Sequence, residues 1–291
     1  MLYDVRLRLR YDYDRQVRSD RHLVRVMPNS LPGQRVIAAS LSFDPKPVSE
    51  TQFQDFFGNL VTMVAYHRSH EHLDVRLSAR VDVEERAALA DLSPSVAELQ
   101  LELSRCWSLA PQSPHHFVGP SPRIPIDAGI TDYARRSVAR TASVSATAMD
   151  LCLAIHEDFA YDVEATGVNT TPHEAFALRR GVCQDFSQVM IAGLRGVGIP
   201  AAYVSGFLRT LPPKGKPRLE GADAMHAWVR VWCGEHMGWL EFDPTNAIRA
   251  GADHVTIGYG RDYADISPIV GVLRTSGDHH AEQFVDVVQL A

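Results

Sequence analysis

The hydrophobic pattern of the chain changes period along its length. Val5, Leu7, Leu9, Tyr11 and Tyr13 alternate with Arg6, Arg8, Arg10 and Asp12, the two-residue period of a half-buried strand. Val24 and Val26, Val36 to Phe43, Leu60 to Tyr66, and the alternating Val75, Leu77, Ala79, Val81 and Val83 add further short strands. Turn signals at Asn29 to Gly33, Asp44 to Pro47 and Gly58-Asn59 separate them, so residues 1–85 predict a β-sandwich domain. Residues 86–135 read as a connector: Ala87 to Leu92 and Ser95 to Leu109 as short helices, and Pro111 to Pro125, with five prolines, as an extended linker. A second domain is expected over 136–291. It opens on the helical stripe Val144, Ala148, Leu151, Cys152, Ile155 and Phe159, followed by a polar loop with Gly167 and Asn169 and a short helix from Pro172 to Arg179. After 200 the period returns to strands at Ala202–Leu208, His226–Trp232, Trp239–Asp243 and near Phe284–Leu290. Helices followed by antiparallel strands make this an α+β domain.

Between those two patterns lies Gly181-Val182-Cys183-Gln184-Asp185-Phe186, where an irregular segment becomes an amphipathic helix. Val189, Met190, Leu194 and Val197 recur at helical spacing until Gly198-Ile199-Pro200 ends the run. A thiol at a helix start faces free backbone N–H groups and the positive end of the helix dipole, both of which favour thiolate, the nucleophilic form. Downstream, His226, Trp228 and Arg230 share one face of their strand, and Trp239, Glu241 and Asp243 share one face of theirs. An antiparallel hairpin about a turn centred on Gly234-Glu235 places His226 directly opposite Asp243, near enough for an imidazole to hydrogen-bond a carboxylate. Cys183, His226 and Asp243 are thus the candidate nucleophile, base and orienting acid. The backbone N–H of Cys183 is a natural oxyanion donor, with the Gln184 side chain as a weaker candidate for a second. Trp228 and Trp239 are candidate substrate-lining residues.

Composition narrows the alternatives. A net charge of -6, from 29 basic and 35 acidic residues, argues against a nucleic-acid partner. No apolar run reaches membrane-spanning length, and no signal-peptide pattern is evident. The four cysteines, Cys106, Cys152, Cys183 and Cys233, form no C-x-x-C pair, which suits a reduced, cytoplasmic protein without disulfides. Cys106, Cys152 and Cys233 read as packing residues, and Asp185 as a first-turn residue favoured by the dipole. Asp223 is likewise left outside the triad. The pairs His115-His116 and His279-His280 lack partners spaced for a metal, so neither a metal nor an organic cofactor is expected.

Three separated motifs carry a family resemblance. The cysteine segment above, with Leu194-Arg195-Gly196-Val197-Gly198-Ile199-Pro200-Ala201 and Tyr203-Val204-Ser205-Gly206-Phe207 behind it, resembles that of bacterial transglutaminase-like proteins. Asp223-Ala224-Met225-His226-Ala227-Trp228-Val229 resembles their histidine strand, and Gly238-Trp239-Leu240-Glu241-Phe242-Asp243-Pro244-Thr245-Asn246 their aspartate strand. Gly260 through Pro268 looks like the segment that follows in the bacterial branch. Pro32-Gly33-Gln34 and Asp55-Phe56-Phe57-Gly58-Asn59 resemble the β-rich domain that often precedes the core. The resemblance implies a papain-like α+β core that uses a Cys-His-Asp triad on amide or ester carbonyls of a peptide, protein or small amide. It differs from many relatives at Arg230, where an acid is common, and at Ala202, where arginine is. It also lacks a counterpart to the tryptophan that helps form the oxyanion site of animal transglutaminases, and nothing marks a second, amine-binding site. Hydrolysis is therefore favoured over cross-linking. Two readings of other classes stand beside it: a catalytically silent peptide-binding module, and a scaffold whose N-terminal edge strands pair with a partner.

Overall fold

The computed structural model describes residues 1–85, 90–210, 223–274 and 278–290. Its N-terminal part is strand-rich, but the first strands do not separate as the alternation suggests. Residues Leu2–Val24 form one long strand, β1, with Tyr3, Val5, Leu7 and Leu9 buried. Its pairing register breaks between Asp12 and Val17 and again between Arg18 and Arg21, and Ser19 takes a left-handed φ of 53°. Those irregularities let one strand serve two ladders. β2 (Gln34–Asp44), β3 (Ser49–Gln54), β4 (Leu60–Ala65) and β5 (His70–Val83) follow, giving the order β2-β5-β1-β4-β3. β3, which the pattern did not suggest, is exposed along its length at the edge of the sheet.

The connector is packed down rather than free. Of the stretch expected to be helical at 87–92, residues 87–89 lie outside the described residues and 90–92 form no helix. α1 (Val96–Arg105) starts at Ser95, whose side chain and Glu98 form a reciprocal capping box. The proline-rich segment contains a 3₁₀ turn at Pro114–Phe117 and buries Phe117 and Ile124. Arg195, itself buried, clamps it by donating to the carbonyl of Phe117 at 3.0 Å and to Ser121 Oγ at 3.1 Å. Burial holds that guanidinium well below its ordinary value, at about 10. α2 (Ala128–Arg140) was not anticipated. Asp127 caps it, and Ile130, Tyr133, Ala134 and Ser137 form its buried stripe.

The core continues with α3 (Val144–Asp158), β6 (Ala160–Tyr161), α4 (Pro172–Leu178), β7 (Arg180–Gly181) and α5 (Cys183–Gly196). α5 is covered on nearly every side, and its close approach to α2 requires glycine. A Cβ at Gly193 would lie 3.0 Å from Ala134 Cβ, and one at Gly196 would lie 2.1 Å from Thr131 Oγ1. β8 (Ala201–Leu208), β9 (Ala224–Trp232), α6 (Gly234–Met237), β10 (Trp239–Asp243), β11 (Ile248–Arg249) and β12 (His254–Gly260) build an antiparallel sheet ordered β11-β10-β9-β8-β12. Ala227, Val229, Val231 and Phe242 enter the core shared with the helices.

After α7 (Tyr263–Ile266), the chain returns to its start. β13 (Ile269–Arg274) and β14 (His279–Gln289) both pair with β1. The strand expected near residue 284 therefore forms, but in the N-terminal sheet. The expected second domain thus hands its last strands to the first. Phe207, Val255 and Ile257 of the core sheet also pack into the hydrophobic cluster of the N-terminal strands.

Candidate active site

Cys183 is the first helical residue of α5, so its backbone N–H has no intrahelical acceptor. The helix start is fixed by Asp185, whose Oδ2 accepts from the N–H of Val182 at 2.8 Å and from Thr166 Oγ1 at 2.6 Å. Gly181 makes room for it, since a Cβ there would lie 2.5 Å from that oxygen. Burial is the largest influence on the Asp185 carboxyl and raises its pKa, against the pull of those hydrogen bonds. It is a buried helix cap rather than a surface charge on the dipole.

The structure brings Cys183, His226 and Asp243 together. His226 Nε2 donates to Asp243 Oδ2 at 2.7 Å, and the Cys183 side chain lies beside the His226 ring, close enough to act on its charge. Burial would lower the His226 pKa, but the hydrogen bond to Asp243 and the neighbouring Cys183 outweigh it and raise the imidazole to about 10. Burial alone would raise Asp243. Hydrogen bonds from His226 and His254 hold it instead far below the ordinary carboxylate range. Asp243 Oδ2 also accepts from Asn246 Nδ2 at 2.7 Å, and Oδ1 accepts from the backbone N–H of Thr245 at 2.9 Å and of Asn246 at 3.3 Å.

The hairpin differs in register from the expectation. β9 and β10 pair Trp232 with Trp239 and Val229 with Phe242, so Asp243 follows on opposite Trp228, two residues from His226. The cause is α6, a full helical turn at Gly234–Met237 that moves the centre of the connection. A shift of two preserves the face, and the His226 ring spans the diagonal to the carboxylate.

Other expected site residues fare differently. The Gln184 amide donates to the carbonyl of Val168 at 3.1 Å, which ties the polar loop to the start of α5. Trp228 is 0 % exposed and lines no channel; its Nε1 donates to Glu241 Oε2 at 2.8 Å. Trp239 is covered by the connector, with Nε1 donating to the carbonyl of Gln112 at 3.1 Å and its ring edge-on to Phe117. Cys152 and Cys233 are buried, which pushes both thiols up to about 12. Asp223 accepts from the N–H of Thr210 at 2.9 Å and of Val287 at 2.7 Å, joining the core to β14. His115 and His116 meet the backbone carbonyls of Cys106 and Leu109.

Sequence reasoning missed His254, whose Nε2 lies 3.1 Å from Asp243 Oδ2. Among the described residues, His226, Asp243 and His254 are the one group of metal-ligand types whose donor atoms gather within 4.8 Å. Both rings point a nitrogen at the same carboxylate oxygen at hydrogen-bonding distance, the geometry of a proton network. A cavity of about 440 Å³ opens where Val168 and Tyr263 of the core face Tyr11, Tyr13, Ile269 and His279, and none of Cys183, His226, Asp243 and His254 lines it.

Known proteins share both parts of this architecture. The bacterial transglutaminase-like N-terminal region matches residues 3–82, and the transglutaminase-like superfamily matches residues 131–244. An uncharacterized protein of Mycobacterium tuberculosis is 33% identical over 291 residues, covering 98% of this chain and 92% of its own length. One of Mycobacterium leprae is 28% identical over 286 residues, covering 97% and 96%. In three dimensions, a provisionally named cysteine protease from Cytophaga hutchinsonii superposes with a TM-score of 0.74 at 19% identity, over 100% of this chain and 91% of that one. That likeness shows the fold.

Proposed function

The chain belongs to the transglutaminase-like superfamily, and from that premise we propose that it is a cysteine hydrolase of peptide or glutamine-type amide bonds, working through an acyl-thioester. The observation that carries this reading is the His226–Asp243 hydrogen bond with the Cys183 side chain beside the same imidazole. Because Nε2 faces Asp243, Nδ1 is the nitrogen left for the sulfur. The Cys183 thiolate attacks the carbonyl carbon, and the Cys183 N–H supports the developing oxyanion. The imidazolium then gives its proton to the departing amine as the C–N bond breaks. Water attacks the thioester, His226 takes a proton from it, and the acid leaves as the thiol reforms. Asp243, held as a carboxylate by its surrounding donors, keeps the ring oriented and stabilises its charge.

Hydrolysis is favoured over transfer because a cross-linker must keep water from the acyl-enzyme, and the sequence marks no second, amine-binding site. The substrate is a peptide, protein or small amide, with no nucleic-acid or membrane partner. No helix among the described residues is long and apolar enough to cross a membrane. All four thiols are free, which supports a cytoplasmic location.

The test incubates the protein with a glutamine-rich protein and a labelled amine, with Cys183→Ala as control. Release of ammonia or peptide fragments without label incorporation is the expected result. Incorporation makes the enzyme a cross-linker, and no Cys183-dependent turnover on any amide removes the enzymatic reading. Stoichiometric alkylation with iodoacetamide complements it. Cys183 should react ahead of Cys106, while the buried Cys152 and Cys233 stay unmodified.

A further inference from the structure

We infer that His254 is a positioning residue for the proposed relay, and that the N-terminal strands hold it against Asp243. The inference rests on the catalytic reading of Asp243, although its test does not. His254 Nδ1 accepts from the N–H of Gly251 at 3.3 Å, so its proton sits on Nε2 and points at Asp243 Oδ2. A neutral ring in this tautomer supplies a donor without adding charge. The ring is buried and lies edge-on to Trp228, with centroids 5.0 Å apart. Trp228 in turn stacks on His226. The one indole thus spaces both imidazoles around a shared carboxylate.

β12, which carries His254, is the edge strand of the core sheet. Among the described residues no further strand pairs with it, and two side-chain amides from the N-terminal part take the place of one. Gln34 donates to the carbonyl of Thr256 and accepts from its N–H, both at 2.7 Å. Asn59 does the same at Tyr259, donating to its carbonyl at 2.7 Å and accepting from its N–H at 2.8 Å. Gly258 leaves the space, since a Cβ there would lie 2.0 Å from Asn59 Oδ1. Gln34 and Asn59 belong to the two N-terminal motifs singled out in the sequence, which now have a structural task. They fix β12 as a neighbouring strand would, at positions two and five residues from His254.

The consequence is chemical as well as structural. A carboxylate that accepts a further hydrogen bond is a weaker base and grips the His226 proton less tightly. The charged or titratable groups around His226 are Cys183 from α5, Asp243 from β10 and His254 from β12. Farther out, Glu241 is tied to Trp228 and Tyr259.

The experiment is an NMR titration of the His226 ring in the full-length Cys183→Ala protein, where neither turnover nor the thiol contributes. Adding His254→Phe, which keeps the ring and removes the donor, should raise the His226 midpoint by about one unit. His254→Gln, which restores an N–H donor, should return it to the Cys183→Ala value. Gln34→Met touches no member of the cluster and should move the midpoint in the same direction by less. It also serves as the deciding variant if His254→Phe does not fold. An unmoved midpoint with only a lower melting temperature makes His254 a packing residue and overturns the inference. So does a glutamine variant no better than phenylalanine. Failure of the enzymatic reading is seen separately, as absent Cys183-dependent turnover.

Discussion

Asp243 in the core and Asp20 in the N-terminal strands are both buried carboxylates that face a pair of histidines. His226 and His254 stand 2.7 and 3.1 Å from the first, and His22 and His70 stand 2.6 and 3.4 Å from the second. Both are held below the ordinary carboxylate range by those imidazoles, against burial. Beyond that they diverge. Asp243 has hydrogen bonds on both oxygens, and its ring partner reaches a thiol at a helix start. Asp20 Oδ1 has no hydrogen-bond partner among the described residues, and the rings beside it pack on Tyr66 and Tyr13. His22 Nδ1 faces Gly271, where a Cβ would lie 2.4 Å away, and His70 Nδ1 meets the carbonyl of Arg68. A buried Asp–His pair is therefore not by itself a catalytic signature. What separates the two regions is the third group and how completely the acid is satisfied.

The sharpest way to break the comparison is to remove one imidazole from each cluster. His226→Ala should lower amide turnover by about 10²–10⁴-fold, the usual yield of a positioned acid–base group. His22→Ala should leave turnover unchanged and lower stability by about 1–3 kcal/mol, the cost of leaving a buried polar group unpaired. Amide hydrolysis and urea unfolding of both variants decide it. Equal losses of turnover would mean that the Asp20 cluster supports the active site.

Removing the charge instead should reorder the effects in stability. The donors around Asp243 would be left facing an amide in Asp243→Asn, at a cost of about 3–5 kcal/mol. Asp20→Asn should cost less, because one of its oxygens already lacks a partner. The urea midpoint of each variant measures this, and the comparison fails if Asp20→Asn is the more damaging.

The pH dependence of stability follows from the same groups. Asp20 and Asp243 have depressed folded values, so their contribution is present above the unfolded carboxylate value near pH 3.9 and is lost on acidification below it. His226 and His70 have raised values, so theirs is complete below the unfolded imidazole value near pH 6.5. For His226 it is lost as pH rises toward about 10. The urea midpoint should be highest between these limits and fall on either side. His226→Gln should flatten most of the alkaline decline, leaving the share due to His70. An unchanged alkaline slope would remove His226 as its source.

How much of this was legible depends on what kind of fact each feature is. Strand parity is local, so His226 and Asp243 could be placed on matching faces. The turn between them also looked local, yet α6 used four residues and moved the register by two. A cysteine ahead of an amphipathic run marked the start of α5. The helix α2 announced itself through Asp127 and a buried stripe, but the prolines just before it masked the signal. His254 was not legible, because nothing near residue 254 says which carboxylate it will meet. β12 itself is buried on both faces and shows little polar alternation. The destination of β14 was hidden for the same reason: alternation reveals a strand and stays silent about its partner.

The smallest expected effect concerns Gln184, and it tests where the machinery ends. A true oxyanion donor is worth about 10²–10³-fold in turnover. The Gln184 amide already donates to the Val168 carbonyl, which also accepts from Arg123 Nη1 at 2.7 Å. Removing one of two donors to an exposed carbonyl leaves that loop held by the arginine. Gln184→Ala should therefore change turnover only a few-fold, with a stability loss below about 1 kcal/mol. A loss of two or more orders of magnitude in kcat, with unfolding unchanged, would mean that the amide leaves Val168 when substrate binds and turns toward the developing oxyanion. Gln184 would then join the Cys183 N–H as the second donor, and the contrast with the Asp20 cluster would widen by one more group.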